Sequence, residues 1–171
     1  MDKLIKKFTK EKKLNFLAEN RVDIRELEML AQVIKSNQLS CLDGNLVRTF
    51  ENEFAQLLGV KHAIAVNSGT AALFVAMRAW GIKPGDEVIV PPFTFMASAS
   101  SVLHNNAIPV FADIEVKTYN MDPEDAIKKI TDKTKAIMPV HLAGMPADMG
   151  PLIDVCKEKN IMLLEDACQA H

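Results

Sequence analysis

A chain of 171 residues with 49% apolar and 25% charged side chains has the composition of a soluble globular domain with one sizeable core. Its 20 basic and 22 acidic residues leave a net charge of −2, without the strong basic excess of a general nucleic-acid binder. No apolar run reaches the length of a membrane span, so neither nucleic acid nor membrane is expected as a partner.

In chain order, residues 1–20 read as an extension, with Lys3, Lys6, Lys7, Lys10, Lys12 and Lys13 partly balanced by Asp2 and Glu11. A solvated helix is the expectation there, and one domain is expected over residues 21–171. The start lacks the continuous apolar core of a signal peptide. Cys41, Cys156 and Cys168 are odd in number and have no C-x-x-C spacing, which fits reduced thiols in a cytoplasmic protein. Cys168 and His171 have no second ligand pair at zinc spacing, so no metal is expected.

Two helices come next. Ile24, Leu27, Leu30, Ala31 and Ile34 share one helical face, as do Val47, Phe50, Phe54, Leu57 and Leu58. Gly59 is placed to end the second, and residues 36–40 and 43–45 carry turn chemistry. From residue 62 short apolar strands alternate with helices. Strands are expected at 62–67, 87–91, 108–114, 136–141 and 161–166, with helices near 70–80, 94–105, 123–130 and 149–159. Near-continuous apolar strands separated by helices predict an α/β fold, a mainly parallel sheet covered on both faces.

Ligands of such sheets bind beyond the carboxyl ends of the strands. Four polar segments are expected along that edge: Asn67–Thr70, Pro91–Phe95, His141–Met145 and Asp166–Gln169. Asn67-Ser68-Gly69-Thr70-Ala71 joins a strand to a helix, where free amides can bind an anion. It reads equally well as a capped turn, and it is neither a Walker loop nor a G-x-G-x-x-G fingerprint. Phe95 could stack on a flat ligand, although a single Phe more commonly belongs to a core. His141 reads as a loop-packing residue. Asp166 follows the apolar run Ile161-Met162-Leu163-Leu164, and burying its carboxylate is costly unless something cationic meets it. A helix cap is the plainer reading of the same residue.

The segments Gly44–Ala55 (GNLVRTFENEFA), Asn67–Leu73 (NSGTAAL), Pro84–Ala97 (PGDEVIVPPFTFMA), Pro139–Met149 (PVHLAGMPADM) and Glu165–His171 (EDACQAH) resemble, in order and spacing, the DegT-type sugar aminotransferases, also called the DnrJ/StrS family. The resemblance runs from about residue 14 to His171. It implies a three-layer α/β/α arrangement, part of the large domain of a fold-type I pyridoxal-phosphate enzyme. It further implies that Gly69, Thr70 and Ala71 hold the cofactor phosphate and that Phe95 stacks on the pyridine ring. Asp166 would pair with the ring nitrogen as the catalytic carboxylate, and Gln169 would contact the ring's hydroxyl side.

The family's lysine that binds the cofactor covalently is expected beyond His171, so the chain by itself is expected to be inactive. Ala143 and Met145 depart from the aromatic and polar residues common in relatives, which bears on substrate preference. The implied activity is amino transfer to a nucleotide-linked keto-sugar or keto-cyclitol from glutamate or glutamine, in a homodimer. A sugar dehydratase of the same family, with histidine in place of the lysine, is the nearest rival. A non-catalytic regulator that retains the fold is the third reading.

Overall fold

The computed structural model describes residues 24–170, so the lysine-rich start and His171 lie outside the described residues. The chain divides after Ala65 into two compact units.

The first unit contains the two expected amphipathic helices, α1 (Ile24–Ser36) and α2 (Leu46–Leu58). Glu26 in the first turn of α1 and Lys35 in its last complement the helix dipole. Helix α2 ends on Gly59, whose φ of 66° is left-handed and whose N–H reaches the carbonyls of Ala55 and Gln56. A side chain would be strained in that conformation, which is why glycine ends the helix. The apolar stripes stay open: α1 buries no residue and α2 only Ala55, while Leu30, Ile34, Phe50 and Leu57 are exposed.

The second unit runs α3 (Gly69–Trp80), β1 (Glu87–Val90), α4 (Ala97–His104), β2 (Ile108–Phe111), α5 (Pro123–Lys128), β3 (Thr134–Ile137), a short 3-10 turn (Leu142–Gly144), α6 (Met149–Lys159) and β4 (Met162–Leu163). The strands form one sheet in the order β2-β1-β3-β4, with every ladder parallel. Strand side chains alternate between faces, and β1 shows the consequence. Val88 and Val90 join Leu73 and Met77 of α3 and Val102 of α4 in one core. Ile89 joins Ala126 of α5 with Leu152 and Val155 of α6 in the other. Helices thus cover both faces, giving the three-layer α/β/α fold. Among the described residues no helix is long and apolar enough to cross a membrane.

One expected strand is absent. Residues 62–67 form no ladder, and Ile64 and Val66 are exposed. An apolar run becomes a strand only where a neighbour supplies ladder partners. Here the N–H of Ala65 is met instead by a side chain, Oε1 of Glu51 at 2.8 Å. The sheet therefore has four strands where the sequence predicts five.

The ladders of β3 and β4 stop early, yet the chains remain paired beyond them. Pro139 has no N–H for the ladder but offers its carbonyl, which accepts from the amide of Asp166 at 2.9 Å. The amide of His141 in turn donates to the carbonyl of Asp166 at 3.2 Å, closing an isolated parallel bridge between Val140 and Asp166. Asp166 is thereby fixed at the carboxyl edge of the sheet.

Candidate active site

Asp166 is 5% exposed. The hydroxyl of Ser98, on the first turn of α4, donates to its Oδ2 at 2.7 Å, and the amide of Cys168 donates to its Oδ1 at 3.3 Å. Both donors are neutral. Among the described residues no lysine, arginine or histidine forms an ion pair with it. A buried carboxylate with only neutral donors retains a strong attraction for a cation.

Ser68, in extended conformation, caps α3 and accepts from the amide of Ala71 at 3.1 Å. The amides of Gly69 and Thr70 come first in the helix and have no partner within it, which suits an anion. Ala71 stands behind them with its N–H already taken by Ser68. Gly69 has a separate steric reason to be glycine, because a Cβ there would lie 2.6 Å from Sγ of Cys168.

Phe95 is 71% exposed, so it is no core residue. Phe93 is also exposed and packs on Tyr119 with ring centroids 5.6 Å apart. Gln169 accepts through Oε1 from the amide of Ala143 at 2.7 Å. That bond sets the direction of the side-chain amide, and its Nε2 has no acceptor among the described residues. Ala143 presents its N–H from a left-handed conformation, φ 51°. The turn is held from beneath by buried Asn120, whose Nδ2 donates to Met145 and whose Oδ1 accepts from Leu142.

Gly69, Thr70, Phe95, Asp166 and Gln169 line one cleft of about 190 Å³, together with Thr94, Ala97, Val140 and Cys168. Ala71 is outside its lining. His141 is buried elsewhere as a tie between loops: its Nδ1 accepts from the amide of Ala147 at 3.1 Å, so Nε2 holds the hydrogen and lies 2.9 Å from Glu165. Sequence reasoning missed Ser98, Thr94 and Asn120. The four-residue spacing of Thr94 and Ser98 in the helix expected near 94–105 was the available signal for the first two, although α4 begins only at Ala97 and Thr94 precedes it. Nothing local marks Asn120.

Partial burial, with a smaller effect from Asp166, pushes the Cys168 thiol up to about 11. At neutral pH it is a thiol and a poor nucleophile. Cys41 and Cys168 are both exposed, so it is the small thiolate fraction of Cys168 that should let iodoacetamide at pH 8 label Cys41 first. Mass mapping of a labelling time course that found Cys168 modified first would contradict this placement.

The model of the DegT/DnrJ/EryC1/StrS aminotransferase family matches residues 20–171. The spore coat polysaccharide biosynthesis protein SpsC of Bacillus subtilis is 46% identical over 145 residues, 85% of this chain and 37% of SpsC. GDP-perosamine synthase of Caulobacter vibrioides is 44% identical over 154 residues, 90% of this chain and 41% of that enzyme. Among solved structures, 3-amino-5-hydroxybenzoic acid synthase superposes with a TM-score of 0.88 at 41% identity, covering 92% of this chain and 41% of that one. GDP-4-keto-6-deoxymannose-3-dehydratase, solved with a trapped PLP–glutamate geminal diamine, follows at a TM-score of 0.82 and 30% identity, covering 91% and 41%. The chain thus spans about two fifths of the length of these proteins. A parallel sheet with this cleft at its carboxyl edge, and a family model matched along nearly the whole sequence, agree: the chain belongs to the DegT/DnrJ/EryC1/StrS aminotransferase family.

Proposed function

We propose that the protein containing this chain is a pyridoxal-phosphate-dependent aminotransferase. Its acceptor would be a nucleotide-linked keto-sugar or a keto-cyclitol, and its amino donor glutamate or glutamine. One observation carries the reading: a buried carboxylate held, among the described residues, by neutral donors faces a cleft whose other walls offer open helix amides and an exposed aromatic ring. Two of the relatives are named for GDP-linked sugars, and the dehydratase among them was solved with this cofactor.

The residues fit the group. When bound, pyridoxal phosphate supplies an electron sink for chemistry at the carbon that carries nitrogen. The amides of Gly69 and Thr70, with the Thr70 hydroxyl, would hold its phosphate. Phe95 would cover one face of the ring, and Nε2 of Gln169 would donate to the ring's hydroxyl oxygen. Asp166 would keep the proton on the ring nitrogen. Burial of that carboxylate strengthens its attraction for the positive charge of a protonated ring, since little water screens the pair.

The direct test is to incubate the full-length protein and cofactor with glutamate or glutamine and a panel of nucleotide-linked keto-sugars and keto-cyclitols. An amino product with matching 2-oxo acid supports the reading. Loss of water from the sugar without nitrogen gain would establish the dehydratase instead. Thr70→Val separates binding from chemistry. It should weaken cofactor retention about tenfold or more, the worth of one hydrogen bond to a charged group, and leave turnover at saturating cofactor much less affected. Unchanged cofactor dissociation, followed by dialysis and absorbance, would remove Thr70 from the phosphate site.

The protein would act in the cytoplasm as a homodimer. The uncovered apolar stripes of α1 and α2 support a subunit contact there, since exposed apolar faces of that kind mark interaction surfaces. A fully active monomer in sedimentation would refute the dimer.

A further inference from the structure

We propose that Ser98 is a positioning residue for Asp166, the middle link of a hydroxyl chain running from the cleft wall at Thr94 to the carboxylate. The proposal rests on the role of Asp166 given above. Ser98 is fully buried, and its Oγ has two neighbours: Oδ2 of Asp166 at 2.7 Å and Oγ1 of Thr94 at 2.9 Å. A carboxylate carries no hydrogen and a serine hydroxyl carries one, so the hydrogen of Ser98 belongs to Asp166. The second contact then requires Thr94 to be the donor. The direction is settled as Thr94 to Ser98 to Asp166.

This arrangement does more than cap a helix. The hydroxyl of Ser98 reaches a residue 68 positions away, and its backbone is pinned separately. The amide of Ser98 donates to Phe95, and its carbonyl accepts from the hydroxyl of Ser101. The terminal torsion of an aspartate is otherwise broad. With Ser98 on one oxygen and the Cys168 amide on the other, the plane of the Asp166 carboxyl is set. Thr94 lines the same cleft as Asp166, so the chain begins and ends on the walls of the site while its middle is sealed from solvent. Donation from Thr94 also polarises the Ser98 hydroxyl and strengthens its bond to the carboxylate. At a fully buried position no solvent water replaces the bond if the hydroxyl is removed, so Oδ2 loses a donor outright.

The test compares Ser98→Ala, Thr94→Val and Asp166→Asn in the full-length protein loaded with pyridoxal phosphate carrying ¹⁵N in its ring. Four quantities are measured: the ring-nitrogen resonance, cofactor affinity, turnover with the amino donor, and the melting temperature without cofactor. Ser98→Ala should move the resonance part of the way toward its position in Asp166→Asn. Turnover should fall about tenfold while KM for the donor stays within about twofold. Thr94→Val, which removes only the outer donor, should move the resonance in the same direction by less. Ser98→Ala with the parent's resonance would overturn the proposal, as would a larger effect from Thr94→Val. A turnover loss accompanied only by a lower melting temperature would reduce Ser98 to a packing residue and overturn it too. If Asp166→Asn itself left the resonance unmoved, the assignment of Asp166 would fall, and the role of Ser98 with it.

Discussion

Asp166→Asn in the full-length protein is expected to retain cofactor yet lose on the order of a hundredfold or more in turnover, the scale seen when one preorganised electrostatic partner is removed from a reacting centre. The amide is nearly isosteric, so the strand-end geometry should survive. Its backbone bonds to Pro139 and His141 do not involve the side chain. What changes is charge. The carboxylate accepts from Ser98 on Oδ2 and from Cys168 on Oδ1 and can still hold a proton on a ring nitrogen, whereas an amide keeps one acceptor oxygen, turns an NH2 toward the other donor and carries no charge. Steady-state turnover measured beside cofactor content would check this. Parent-like turnover with cofactor bound would leave Asp166 as a structural strand-end residue and refute the site.

The second large effect is expected at Gly69, and its sign is decided by one contact. By helix propensity alone, Gly69→Ala in α3 should stabilise by roughly 0.5–1 kcal/mol. The new Cβ, however, would stand 2.6 Å from Sγ of Cys168, well inside any real contact. Sulfur must then swing aside in a residue whose amide holds Oδ1 of Asp166. Overpacking of this kind costs about 1–3 kcal/mol, enough to outweigh the propensity gain. Cofactor affinity should therefore fall about tenfold in Gly69→Ala and recover in Gly69→Ala/Cys168→Ala, where the obstacle is gone. Equilibrium titration of both proteins with pyridoxal phosphate would show it. Equal affinities for the single and double variants would mean that the thiol has room to move.

Both variants act on residues that the sequence already marked, but for reasons it did not contain. Gly69 reads from the sequence as a place where the backbone approaches a ligand. The structure adds a neighbour from the far end of the chain, Cys168, whose thiol would have to shift to admit a side chain whether or not a ligand is present. Asp166 reads as a carboxylate in need of a cation. Its actual partners, Ser98 and the Cys168 amide, were hidden because one of them lies 68 residues away. Phe95 reads as either core or stacking ring, and its exposure rules out the core.

What the sequence determined by itself was local and periodic. The amphipathic spacing of α1 and α2, the glycine that ends α2, the proline at the start of α5 and the alternation of apolar runs with helices are all properties of neighbouring residues. These suffice for an α/β fold with its polar segments on one edge, because a parallel sheet places every strand-to-helix turn on the same side. What only the tertiary structure decided were the pairings. Residues 62–67 have the composition of a strand and are not one, since hydrogen bonds between strands require a partner that composition cannot specify. Ala71 belongs to the expected phosphate segment, yet the Ser68 side chain already takes its amide. The Thr94–Ser98–Asp166 chain joins two ends of the fold through atoms whose distance no residue pattern encodes. Periodicity shows which face of an element is buried, whereas the partner across that face is set only when the layers pack.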